Sequence, residues 1–113
     1  MSKENDENII GSQANINELI SYQPGAVVSR TLINKKAGTV TLFSFDEGQS
    51  LSEHTAPYDA LVHVFDGEAE IIIGGEPHQL NNGDVIIMPG GIPHAVTANK
   101  KFKMILVMVK QAE

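Results

Sequence analysis

From Gly25 onward the chain alternates short apolar, β-branched runs with turn residues at nearly regular intervals. AVVSRTLI leads to NKKAG, TVTLFSF to DEGQ, and ALVHVF to Asp66-Gly67, and EAEIIIGGEPHQL is centred on Gly74-Gly75. NNGD then precedes VIIMP, GGIP precedes HAVTA, and NKK precedes the final run FKMILVMV. This spacing predicts eight or nine strands, with no helical period between them and Gly74-Gly75 as a two-residue hairpin turn. Evenly spaced strands with Gly-rich turns specify an all-β antiparallel sandwich or closed barrel rather than a parallel α/β sheet.

Alternation within the strands assigns faces. In EAEIII, Ala69, Ile71 and Ile73 share the buried face, and Glu68 and Glu70 take the wet one. The last run is apolar on both faces, with Phe102, Met104, Leu106 and Met108 set against Ile105, Val107 and Val109. A strand apolar on both sides needs a cover outside the barrel as well as a core within it. Another subunit is the expected cover, so a homodimer is predicted. Met88, Met104 and Met108 read as gap-fillers of the core.

The N-terminal residues differ in texture. Residues 1–14 form an acidic, polar tail, and residues 15–113 a single barrel domain. NINELIS places Glu18 three residues after Asn15, a capping-box pattern, with Ile16, Leu19 and Ile20 as an apolar stripe. It predicts a short N-terminal helix over Ile16 to Tyr22, stopped by Pro24-Gly25 and covering one end of a sheet.

Composition narrows the chemistry. A chain of 113 residues supports one core, and with 42% apolar residues, no Trp and few aromatics that core is aliphatic. The absence of cysteine excludes disulfides and thiolate chemistry. A formal charge of −6 opposes nucleic-acid binding, which depends on a basic surface that displaces counterions. No run approaches the ~20 apolar residues of a membrane helix, and MSKENDENIIGSQ lacks the apolar centre of a signal peptide. The expected location is the cytoplasm, with no membrane partner. The paired glycines lack the following helix of a phosphate loop, and no serine sits in a nucleophile elbow.

Two segments carry the remaining signal. Gly48 is followed by QSLSE, His54 and, after TAPYDALVHVFD, Gly67. Gly83 is followed by DVIIM, Pro89, Gly90, Gly91, IP and His94. In spacing and order the pair resembles the two motifs of the cupins, small jelly-roll β-barrels, and the likeness runs from about Ala26 to Val109. Full-motif cupins hold a divalent metal with three histidines and a glutamate. The resemblance therefore assigns His54 and His94 to the first and last histidine positions. Ala56 stands at the second histidine, Ala60 at the glutamate and Ala98 at the closing asparagine.

Three readings follow. In the favoured one, His54 and His94 lie in an apolar cup lined by Ala56, Ala60 and Val62, with Asp59 at its edge, and bind a small molecule such as a carboxylate, phenol or enol without a firmly held metal. In the second, a divalent metal is a possible cofactor: His54 and His94 hold it, Asp59 swings inward to complete the set, and the protein is a dioxygenase or isomerase. That rescue fails if the strand has begun at Asp59, since neighbours on a strand face opposite ways. In the third, the histidines are structural and the barrel serves interaction alone. His63 is expected to face outward with Leu61 and Phe65, an exposed patch suited to an oligomer interface, and His78 to lie on the surface. Asp84 is expected to fasten the turn before VIIMP.

Overall fold

Regular alternation of apolar positions produces strands wherever the sequence has them. The computed structural model describes Ser2–Lys3 and residues 9–110. In chain order the strands are β1 (Ser2–Lys3), β2 (Val27–Lys35), β3 (Gly38–Phe45), β4 (Ser50–His54), β5 (Asp59–Gly67), β6 (Ala69–Ile73), β7 (Glu76–Leu80), β8 (Val85–Met88), β9 (His94–Thr97) and β10 (Phe102–Val109). They form one sheet in the order β1-β2-β3-β10-β5-β8 and a second in the order β4-β9-β6-β7. Every pairing is antiparallel except β1 with β2. The chain is thus an all-β antiparallel barrel, as the strand spacing predicts, of the jelly-roll type that the resemblance implies. Residues 4–8 of the expected tail lie outside the described residues.

Two glycine sites make the layout possible. Between β5 and β6 the chain leaves one sheet for the other at Gly67, whose φ is +74°. A Cβ there would run into the Lys101 carbonyl oxygen and lie 3.0 Å from the Phe102 Cα, so the corner has room only for glycine. Gly74 and Gly75, with φ of +56° and +81°, close the β6–β7 hairpin with two consecutive positive-φ residues. That conformation matches the right-handed twist of the flanking strands. Asp84 fastens its turn as expected, its carboxylate accepting from the Asn81 amide at 2.8 Å.

The inner faces of both sheets meet in one core. Phe45 and Phe102 stack at 4.6 Å with ring planes 10° apart, and Phe43 tilts against Phe45 at 6.1 Å. Val62, Val64 and Ile71 are fully buried beside them, with Met88 and Met104 filling the gaps between. Three of the four phenylalanines are therefore gathered at one end of the barrel core.

A second, smaller core lies on the outer side of the six-stranded sheet. Ile20 packs there on Val28, Leu42 and Phe65, flanked by Ile16, Leu19 and Ile105. This corrects two expectations. Phe65 is only 8% exposed, because the N-terminal segment lies over it, so it is no part of a surface patch; Leu61 and His63 do face outward, half-buried. The predicted helix over Ile16 to Tyr22 is a single 3-10 turn, Ile16–Glu18, with the Asn15 side chain accepting from the Asn17 amide. The sheet itself explains the difference. Lys103 donates to the carbonyl of Asn17, Arg30 to that of Leu19 and the Ser44 hydroxyl to that of Ser21, at 2.9–3.0 Å. Three carbonyls are thus satisfied by the surface beneath, and an extended strap replaces the helix.

Tyr22 closes the strap. Its hydroxyl donates to Asp66 at 2.6 Å, and the ammonium groups of Lys101 and Lys103 lie 4.8 and 5.1 Å from its ring centroid. Burial, and then the Asp66 carboxylate, raise the hydroxyl pKa well above its ordinary value, so it is protonated and a donor at neutral pH. Replacing Ile20, the strap's buried anchor at 1% exposure, by alanine is expected to destabilise the fold by about 3 kcal/mol while leaving the strand signal intact. Urea denaturation followed by far-UV circular dichroism measures this, and a loss below ~1 kcal/mol would show that the strap contributes little.

Candidate functional site

The end of the barrel opposite the phenylalanine stack is built by loops. The β4–β5 connection (residues 55–58) and the β8–β9 connection (residues 89–93) are clasped together there. The Gly91 amide donates to the Ala56 carbonyl and the Gly90 amide to Asp59 Oδ1, both at 2.8 Å. A Cβ on Gly90 would lie 2.9 Å from the Pro57 carbonyl oxygen, so this closeness depends on the glycine. The β6–β7 hairpin joins the rim through the Gly74 amide, which donates to the Pro93 carbonyl at 2.8 Å.

His54 ends β4 and His94 begins β9, and the two stand opposite each other as cross-strand partners. A bulge brings them together. Leu51 pairs with Val96 and His54 with His94, so three steps along β4 match two along β9. Strict alternation from the inward-facing Leu51 would present Glu53 to the barrel, and the extra residue presents His54 instead. The imidazole Nε2 atoms lie 3.1 Å apart and the rings meet edge to face at 69°. His94 is buried at 7% exposure, while His54 is exposed at the rim.

Their hydrogen bonds fix what each ring offers. His54 Nδ1 lies 2.8 Å from the Ser52 carbonyl, and a carbonyl only accepts, so the proton of neutral His54 is on Nδ1. Its Nε2 therefore carries a lone pair, which accepts from Nε2–H of His94. His94 Nδ1 is left facing the Ile92 carbonyl at a longer 3.4 Å, where it gains a bond only by taking up a second proton. Burial lowers the His94 pKa below 6.5, the Ile92 carbonyl partly offsets this, and the charge of His54 lowers it further. At neutral pH His94 is therefore an uncharged donor.

The other candidates sort themselves by strand parity. Ala60 and Val62 face inward from β5, at 3% and 0% exposure, with Ala60 in register between Met88 and Met108. Ala56 contributes its backbone to the loop clasp. Asp59 is the first residue of β5 and alternates with the inward Ala60, and its carboxylate is spent on Gly90. The structure does not bring it to the histidines. Among the described residues no three histidines or carboxylates are grouped to hold a metal ion. Two imidazoles with methyl groups at the neighbouring positions do not fit a firmly held divalent cation, which takes three or four protein ligands. His63 lies outward on β5, and His78, expected at the surface, is half-buried on the edge strand β7 opposite Ile71. The sequence reading missed the β4 bulge and the Ser52 and Ile92 carbonyls; only the Gly90-Gly91 pair signalled the close loop contact.

Fold and site together define a cupin. The family model described as Cupin domain matches residues 41–110, more than half the chain, and the protein belongs to that family. It is similar over its full length to a conserved protein of unknown function from Streptococcus pyogenes, at 35% identity, 98% coverage of that chain and a TM-score of 0.89. A cupin 2 conserved barrel domain protein from Leptotrichia buccalis is 42% identical over 86% of this chain and 47% of its own, with a TM-score of 0.84. A cupin superfamily protein from Desulfitobacterium hafniense is 29% identical over 85% of this chain and 88% of its own, with a TM-score of 0.81. No curated protein matches the chain. No helix among the described residues is long and apolar enough to cross a membrane.

The lowered His94 pKa has a signed consequence for stability. Below pH 6.5 the unfolded chain binds a proton at this residue that the native state refuses, so the histidine's contribution is present above that value and lost as the pH falls from it towards the native pKa. Proton NMR is expected to show His94 titrating below 6.5. The fall in urea midpoint between neutral and mildly acidic pH is expected to shrink in His94→Gln, and an equal fall in both proteins would contradict the assignment.

Proposed function

We propose that the protein is a small-molecule-binding cupin whose ligand is an acidic oxygen compound, a carboxylic acid, phenol or enol, received by His54 and His94 without a firmly held metal. The observation that carries this reading is the 3.1 Å pairing of a donor Nε2–H with an acceptor Nε2 at the rim of an apolar barrel. A neutral carboxyl group presents the complement: its hydroxyl donates to His54 and its carbonyl accepts from His94. Proton transfer to His54 then gives an imidazolium–carboxylate contact, in which the bonds are charge-assisted and stronger. Phenols and enols offer the same O–H to His54, and an enol beside a carbonyl offers both contacts.

The surroundings support a bound molecule rather than a bare pair. Ala60 puts only a methyl group on the inner face, and the flanking Met88 and Met108 are flexible side chains able to adjust to a bound molecule. An apolar cup with a few convergent polar groups is the usual form of a small-molecule site. The clasp through Asp59 and Gly90 holds together the two loops that carry on from His54 and lead into His94, which gives Asp59 a positioning role there.

A thermal-shift screen of small carboxylic acids, phenols and enols tests the proposal. A ligand at a hundred times its Kd is expected to stabilise the protein by about 2.7 kcal/mol, and His54→Ala or His94→Ala to remove most of that gain. No shift across the set, or a shift indifferent to both substitutions, would refute it. Elemental mass spectrometry of untagged protein after dialysis separates the metal-dependent enzyme reading: about one equivalent of a transition metal, lost in both alanine variants, would favour that enzyme instead.

A further inference from the structure

The inner face of the six-stranded sheet carries a second polar feature, at the histidine end of the barrel. Alternation from the core residues Phe43, Leu106 and Val62 turns Thr39, Met108 and Ala60 inward, and with Met88 they form one row across β3, β10, β5 and β8. One residue past β10, the Lys110 amide donates to the Ala37 carbonyl at 2.8 Å, so the ladder with β3 continues beyond the strand. Lys110 therefore lies on the side of Met108, two residues before it, and Tyr58 bears the same relation to Ala60. The open hollows on the outer face agree with this: Asp59 and Val109 line them, whereas Tyr58 and Lys110 do not. Tyr58 also ends the loop that starts after His54, which sets it at the same rim as the histidines.

The two side chains meet, the Lys110 ammonium lying 5.8 Å from the centroid of the Tyr58 ring. Both are half-buried. Lys35, Lys36, Lys100 and Lys101 stand exposed instead, and the buried Lys103 is committed to the Asn17 carbonyl. Among the described residues the one ion pair joins Lys100 to Glu68, so Lys110 has no carboxylate partner there. Asp59, next to Tyr58 in the chain, turns to the other side and is taken by the Gly90 amide. A partly dehydrated ammonium without a counter-charge gains most from an anion that reaches it, because such a bond is charge-assisted.

We propose that Lys110, steadied by Tyr58, receives a second anionic group of the ligand, so that the ligand is a diacid with one acidic oxygen group at His54 and His94 and another at Lys110. This rests on the reading of the histidine pair as a ligand site. Charge favours it: a chain of net charge −6 repels a dianion at a distance, and a cation at the mouth is what admits one. A ligand with a single acidic group would leave this ammonium unused. The histidines stand on the four-stranded sheet and Lys110 follows β10 of the six-stranded one, so the ligand reaches from one sheet to the other. Facing sheets lie ~10 Å apart, which suits a flexible diacid of about four to six carbons and is too wide for one of about two.

Isothermal titration calorimetry of the full chain with pentanedioate and pentanoate, a diacid and a monoacid of equal length, tests this. The parent is expected to bind the diacid about tenfold more tightly, a preference that shrinks as salt is added. Lys110→Gln should lose most of that preference and Tyr58→Leu part of it. Lys110 lies past the end of its strand, so the substitution should leave the melting temperature of the free protein unchanged. Equal affinity for the two acids in the parent, each weakened by His94→Ala, would overturn the inference and leave the histidine reading standing. A preference undiminished in Lys110→Gln would overturn the role of Lys110. Failure of both acids to bind would overturn the histidine reading and this inference with it.

Discussion

The need to bury both faces of β10 organises the molecule. The strand lies between β3 and β5 near the middle of its sheet, and its eight residues are apolar on either side apart from Lys103. Its inner residues join the core with the phenylalanine stack. Its outer residues would otherwise spread greasy surface across a sheet face, a liability that proteins normally remove by covering it. The strap covers one end through Ile20, over Leu42, Phe65 and Ile105. Lys103, at that end, turns the exception to use by holding the strap at Asn17. The other end, at Val107 and Val109, has no cover within the described residues.

The strap also shows why local propensity yields to the surface beneath. Asn15 caps a turn and Ile16 to Ile20 have helical spacing, yet only one 3-10 turn forms. A helix over Ile16 to Tyr22 would use the Asn17 carbonyl in its ladder but leave those of Leu19 and Ser21, in its last turn, without a partner, whereas Lys103, Arg30 and Ser44 offer all three donors on a surface that simultaneously buries Ile20. Burial of an isoleucine outweighs the small gain from an additional helical turn, since isolated short helices are marginal in water.

Much of the architecture was legible from period and punctuation. Alternation in EAEIII put Ala69 and Ile71 in the core, the glycine pair at 74–75 placed a hairpin, and Asp66-Gly67 marked the end of the ALVHVF strand. The pairing of His54 with His94 followed from motif spacing. What stayed hidden depended on contacts between distant segments. The bulge that substitutes His54 for Glu53 on the inner face has no local signature in SLSEH, because it is defined by β9 across the sheet. Phe65 was misjudged because parity gives a side of the sheet and not what lies upon it. Asp59 turned on a single boundary: β5 begins at that residue, so its side chain goes to the opposite side from Ala60.

The two alanines change the type of chemistry that the rim can support, beyond lowering its ligand count. A carboxylate at position 60 would face the core-lining Met88 and Met108, where an unpaired charge is costly; it would need a cation to be tolerated. With a methyl group there, the wall is neutral and the histidines satisfy each other. Burial that lowers the His94 pKa keeps that ring uncharged, and an uncharged donor loses less on desolvation than an imidazolium would. Such a pair stays available to an incoming O–H group, because exchanging one 3.1 Å N–H···N bond for two bonds to a ligand is a gain. The alanines that stand where cation ligands would be thus leave an apolar wall against which a proton-bearing oxygen can be bound.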